Sequence, residues 1–198
     1  MKIIPLIHIK QNKIVNSDFN KLENIKNLID KYEDDTIYLL DHDGINKNRP
    51  NICLFKKLSK KHNLWIDTGP RVIGDIVDTV IAGASKITIR KDLLNNVNTS
   101  TINEILENEI YMKIDPDFYQ YTNDHILKIN FNGYVILNDE KKFNYDFKDQ
   151  SYIKKIIKNT KTYFYIKNKE LIRFTNKFNF EGFLIDIEKI KEFENIGI

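Results

Sequence analysis

The sequence has one cysteine, no glycine-rich nucleotide turn and no long apolar run, and each absence closes a class of function. Cys53 alone cannot form an internal disulfide, and no CxxC or His/Cys cluster offers metal-ligand spacing. The thiol is expected to act as a small apolar residue, buried or half-buried, rather than as a nucleophile. No stretch approaches about 18 apolar residues, so no membrane span is expected. The opening MKIIPLIHIKQNK holds an apolar run too short for a signal peptide and suits a strand. Without a GxGxxG turn or clustered ligands, neither an organic cofactor nor a metal is predicted. An excess of one charge is missing too. The formal net charge is only +3, and Lys and Glu are scattered through the predicted helices, whereas a nucleic-acid surface needs a basic stripe. A cytoplasmic protein with a small-molecule partner, and neither nucleic acid nor membrane, is the expectation.

What is present is an alternation. Hydrophobic residues make up 41% and charged residues 30% of 198 residues, enough for one ordered domain spanning 1–198. Short β-branched runs alternate with segments of helical period, the order of a parallel sheet covered by helices. Strands are predicted at 3–9, 37–40, 64–67, 86–89, 110–114, 134–137, 163–166 and 182–185, with 10–15 as a return or extension of the first. Helices are predicted near 18–31, from Pro50, at 72–82 with Gly83 as its cap, around 102–106, 151–158 and 170–178, and at 187–193. Eight such strands predict an α/β fold, a compact (β/α)8 TIM barrel with short loops. An open doubly wound sheet of fewer strands is the competing architecture.

In a barrel the strand C-termini form the working face. The sequence places His8, Asp41 and Asp43, Asp67, Asp115, Asp139 and Asp186 there. Polar groups at buried strand tips need partners, so their convergence points to a polar site. Any single aspartate among them could equally cap a helix.

Three strings carry a resemblance. IIPLIHIKQNKIV is an apolar strand with Pro followed by a return ending in Lys-Ile-Val. IYLLDHDGINKNRPN holds Asp-x-Asp-Gly followed by an Asn, and WIDTGPRVIGDIVDTVIAGASKITIR a turn with Gly and Arg, a helix, and Gly-Ala before the next strand. Over residues 1 to about 116 the chain resembles the histidine-biosynthesis barrels, the phosphoribosyl-formimino isomerase and its cyclase relative (HisA/HisF), and more closely their relatives of unassigned activity. The resemblance implies an Amadori-type isomerase using a general acid and a general base at the ends of opposed strands. His8 and Asp115 stand at those positions, His8 in place of the family's aspartate. Histidine can carry a proton near neutral pH, and it can equally be a hydrogen-bonded strand residue.

The resemblance further implies that Gly69 with Arg71 or Arg90 takes an anionic group of a phosphorylated sugar or ribosyl amine, while Asp41, Asp43 and Asp139 orient it. Pro70 removes one backbone donor from that turn. Lys167-Asn168 and Asp186-Ile187 stand where the family has the glycines of its second phosphate site. The alternative is a degenerate, non-catalytic barrel that serves as a binding or assembly partner.

Overall fold

β1 (Lys2–Lys10) turns back through Gln11 and Asn12, both at positive φ, into the short antiparallel β2 (Lys13–Val15). β1 also pairs in parallel with β3 (Thr36–Asp41), and the ladder continues through β4 (Asn63–Asp67), β5 (Ala84–Arg90), β6 (Glu109–Ile114), β7 (Gly133–Ile136), β8 (Lys161–Ile166) and β9 (Gly182–Asp186). β9 returns to β1, from Lys2 opposite Gly182 to Leu6 opposite Asp186, so eight parallel strands close on themselves. Closure leaves those strands no free edge. The computed structural model describes residues 2–32, 35–94, 102, 107–114, 131–137, 158, 160–169 and 178–194.

The two-residue period of each strand sorts side chains between two cores. Ile7, Ile9, Ile37, Leu39, Leu64 and Ile66 point outward into the layer beneath the helices. Ile4, Leu6, Tyr38, Leu40, Trp65, Tyr111, Val135, Tyr163, Tyr165 and Leu184 point inward and fill the barrel. Trp65 anchors that filling, with ring centroids 4.2 Å from Tyr111, 4.8 Å from Tyr163 and 5.2 Å from Tyr38. Near the N-terminal end, Glu109 accepts hydrogen bonds from Tyr111 at 2.5 Å and Lys86 at 2.9 Å.

The predicted strands are present, most of them one or two residues longer. The helix expected over 18–31 is shorter: α1 (Ile25–Ile29) followed by a 3-10 turn, Asp30–Tyr32. Asn16 explains the loss, because its side chain accepts from the backbone N–H of Asp18 and Asn20 and holds that segment in a turn. Phe19 and Asn24 then adopt left-handed backbone, φ 65° and 53°.

Conversely, Asp41-His42-Asp43-Gly44 opens a helix, α2 (His42–Lys47), because Asp41 caps it. α3 (Ile52–Leu58) and α4 (Ile73–Ile81) follow, with Gly83 at φ 104° ending α4 as expected, and α5 (Ile190–Glu194) closes the described chain. Cys53 on α3 is exposed, contrary to expectation, because Phe55 takes the inward position of that short helix. Of the helices expected near 102–106, 151–158 and 170–178, only Ile102, Lys158 and Phe178 fall within the described residues. No helix among the described residues is long and apolar enough to cross a membrane.

Candidate active site

Counting by twos from the inward core leads to the mouth. Leu6 is followed inward by His8, Leu40 by His42, Trp65 by Asp67, Thr88 by Arg90, Tyr163 by Tyr165 and Leu184 by Asp186. All lie at or next to strand C-termini. His8, Asp67 and Asp186 are buried, so each needs internal partners.

The first group is a line of hydrogen bonds. His8 Nε2 lies 3.0 Å from Asp186 Oδ1, and His8 Nδ1 lies 3.0 Å from His42 Nε2. Tyr165 donates to Asp186 Oδ1 at 2.9 Å, and Lys189 to Oδ2 at 3.2 Å. Burial alone would raise the Asp186 carboxyl, but the bonds and charges of His8, Tyr165 and Lys189 bring it below the ordinary carboxylate range.

An ionised Asp186 accepts the hydrogen on His8 Nε2. With that hydrogen on Nε2, His8 Nδ1 is left as an acceptor that His42 Nε2–H can meet. His42 is half-buried, its ring nearly parallel to that of His8 with centroids 5.2 Å apart, and is met edge-on by Phe19 at 4.8 Å. Burial, with the charge that His8 carries only when protonated and those of Arg90 and Lys10, lowers His42 from 6.5 to about 4. Beside this line, burial and the Asp186 charge raise the Glu188 carboxyl.

The second group is an ion pair. Arg90 Nε lies 3.0 and 3.1 Å from the two oxygens of Asp67, and Nη2 lies 2.8 Å from Oδ2. Tyr38 Oη sits 3.2 Å from Asp67 Oδ2 and 3.1 Å from Thr88 Oγ1, and Trp65 Nε1 donates to Thr88 Oγ1 at 2.9 Å. A phenol has one hydrogen, and the carboxylate takes it, so the chain runs Trp65 to Thr88 to Tyr38 to Asp67 with no donor wasted. Burial and the Asp67 charge hold the Tyr38 phenol well above its usual range.

The remaining expected site residues are engaged by the protein itself. Asp41 lies in the outward phase of β3 and accepts from the backbone of Asp43, Gly44 and Asn51 and from the Asn51 side chain. Burial raises its carboxyl against those donors. Asp43 accepts from the Gln11 backbone and from Lys47, tying the β1–β2 turn to α2.

Arg71 gives Nη1 to the carbonyls of Gly44 and Gly69 and to Asn48 Oδ1, and Nη2 to the carbonyl of Ile45, all within 3.2 Å. Gly69 donates its N–H to Asp67 Oδ1 at 3.2 Å. With Pro70 lacking an N–H, the turn that resembles a phosphate loop is stitched internally to α2. Asp115 and Asp139 lie outside the described residues.

Gly69 itself is a packing requirement. Its φ is 63°, and a Cβ there would stand 2.7 Å from Leu93 Cδ1 and 3.0 Å from Ile45 Cα. Gly69→Ala is expected to lower stability by about 1–3 kcal/mol, read as a drop in the thermal unfolding midpoint. An unchanged midpoint would show that the turn is free to shift.

The sequence alone does not single out His42, Tyr165 or Lys189, and it places Asp186 at a strand end without giving it a role. For His42 and Tyr165 the two-residue count from Leu40 and Tyr163 was the available signal. Among the described residues no group of three or more His, Cys, Asp and Glu side chains could hold a metal ion. A cavity of about 360 Å3, lined by Lys158, Thr160, Lys161, Thr162, Asn179, Phe180 and Glu181, opens near the N-terminal ends of β8 and β9, away from the mouth.

No family model and no curated protein matches the chain. Among solved structures it is similar to CdNal from Clostridium difficile, a structure in complex with mannosamine. The TM-score is 0.54 with 13% identity, over 92% of this chain and 68% of that one. At that identity the likeness bears on the fold alone, and it agrees with a (β/α)8 barrel.

Proposed function

We propose that the barrel catalyses proton transfer on a small polar, sugar-derived metabolite, as an isomerase of the kind its resemblance to the HisA/HisF barrels implies. The observation that carries this reading is the line Asp186–His8–His42. Among the described residues Nδ1 of His42 makes no hydrogen bond, so it can act as the contacting base. A base with a pKa of about 4 is by itself too weak to take a proton from carbon efficiently near neutral pH. The line removes that weakness. As a substrate proton arrives at His42 Nδ1, the hydrogen on His42 Nε2 passes to His8 Nδ1, and the positive charge comes to rest on His8, 3.0 Å from Asp186. Reversing the two transfers delivers a proton to the neighbouring substrate atom and completes a 1,2 shift. Asp115 and Asp139 keep, in this proposal, the acid and orienting parts that the resemblance implies.

The non-catalytic alternative draws support from the internal engagement of Gly69 and Arg71. Incubation in D2O with aldoses, ketoses, ribosyl amines and mannosamine, followed by NMR, separates the two. Deuterium is expected at a carbon next to the carbonyl or imine of at least one compound, with the wild type but not with His42→Gln. No incorporation from any compound by a folded wild-type protein would sink the enzymatic reading.

A further inference from the structure

Arg90 carries donors that its surroundings do not use. Its Nε–Nη2 edge lies on Asp67, while Nη1 has no acceptor among the described residues. The side chain is only 13% exposed, so the guanidinium lies largely out of water. A guanidinium N–H with no acceptor among the described residues, in a largely buried position, is one whose free-energy cost a ligand oxygen would recover. Asp67 cannot take more, since its oxygens already accept from Arg90, Tyr38 and Gly69. Arg90 ends β5 in the inward phase, and His42 directly follows the C-terminal end of β3, so both lie at the same end of the barrel.

We propose that the free Nη1 edge of Arg90 seats a carboxylate of the substrate, making the metabolite a sugar acid or a related hydroxy- or oxo-acid rather than a sugar phosphate. This deepens the proton-transfer reading and rests on it for where the substrate lies. The choice between anions follows from donor count and charge. A phosphate dianion needs several donors, and the backbone turn that would supply them is closed: Gly69 N–H is on Asp67, Pro70 has none, and both terminal nitrogens of Arg71 are on protein acceptors. A single guanidinium edge matches the two oxygens of a carboxylate. Asp67 next to it also repels a dianion about twice as strongly as a monoanion. A carboxylate held there next to a hydroxyl- or oxo-bearing carbon would bring an activated C–H to the mouth that His42 occupies.

The test is a calorimetric and thermal-shift titration with pyruvate, lactate and glucuronate against inorganic phosphate and ribose 5-phosphate. At least one carboxylate is expected to bind and raise the unfolding temperature, and the phosphates are expected to do neither. Arg90→Lys keeps the charge beside Asp67 but loses the planar edge, so the carboxylate dissociation constant should rise on the order of tenfold or more. In the wild type, the guanidinium 15N signals of Arg90 should shift on adding that carboxylate, a readout independent of any variant. Phosphates binding as well as carboxylates, no carboxylate binding, equal affinity in Arg90→Lys, or unmoved Arg90 signals would each overturn the proposal. His42→Gln separates the two readings: carboxylate binding should survive in it, and deuterium exchange should not.

Discussion

Arg90→Met is expected to unfold roughly 6–20 °C below the wild type, the consequence of about 3–5 kcal/mol lost when a buried ion pair is broken from one side. Asp67 has no exposed surface and faces Arg90 through two nitrogens. Methionine can fill the space of the Arg stem but cannot answer the charge. Tyr38 and Gly69 still donate to Asp67, which keeps the loss within that range rather than above it. Against a total stability of about 5–15 kcal/mol the change is large. The double variant Asp67→Asn/Arg90→Met removes the orphan charge while leaving an oxygen for Tyr38, so it should be more stable than the single one. If the single and double variants melt together, or Arg90→Met melts with the wild type, the pair is not the closed interaction described above.

The same pair shows how far the sequence could be read. Counting by twos along β4 and β5 puts Asp67 and Arg90 on one face, but local pattern does not say that they meet across neighbouring strands. Asp186 and His8 are a harder case, 178 residues apart and brought together only because β9 closes on β1. For Asp41 the structure favours the cap over the site, the other reading its position allowed. Asp41 follows Ile37 and Leu39 in the outward phase, and there its carboxylate caps α2 instead of lining the mouth. His42 was hidden by that same string, which reads as a turn until Asp41 is recognised as a cap. The strands themselves were legible because a short apolar, β-branched run, buried on both faces, is a property of each segment alone. The helix expected over 18–31 failed because the Asn16 side chain competes for the backbone that its apolar period assumes.

Asp186→Asn and His42→Gln are each expected to slow the proposed proton transfer by about 10²–10⁴-fold, measured as deuterium incorporation per folded molecule. The two variants fail for different reasons. His42→Gln removes the base that meets the substrate. Asp186→Asn turns an acceptor into an amide whose N–H can donate to His8 Nε2. His8 would then keep its hydrogen on Nδ1, and the lone pair that receives the proton from His42 is gone. Because they break one line, the double variant should be little worse than either alone.

A stability measurement checks the same line without a substrate. His42 falls from 6.5 to about 4 on folding, so between those values the unfolded chain binds more protons, and folding is weakened as pH drops from about 6.5 towards 4. His42→Gln removes that proton linkage. Its unfolding temperature should therefore fall less than that of the wild type between pH 7 and pH 5. Asp186, held low in the fold, adds its own loss only further into acid, as pH falls through the carboxylate range. Equal losses for wild type and His42→Gln over pH 7 to 5 would mean that His42 titrates normally, and the relay would then lack the neutral base it needs.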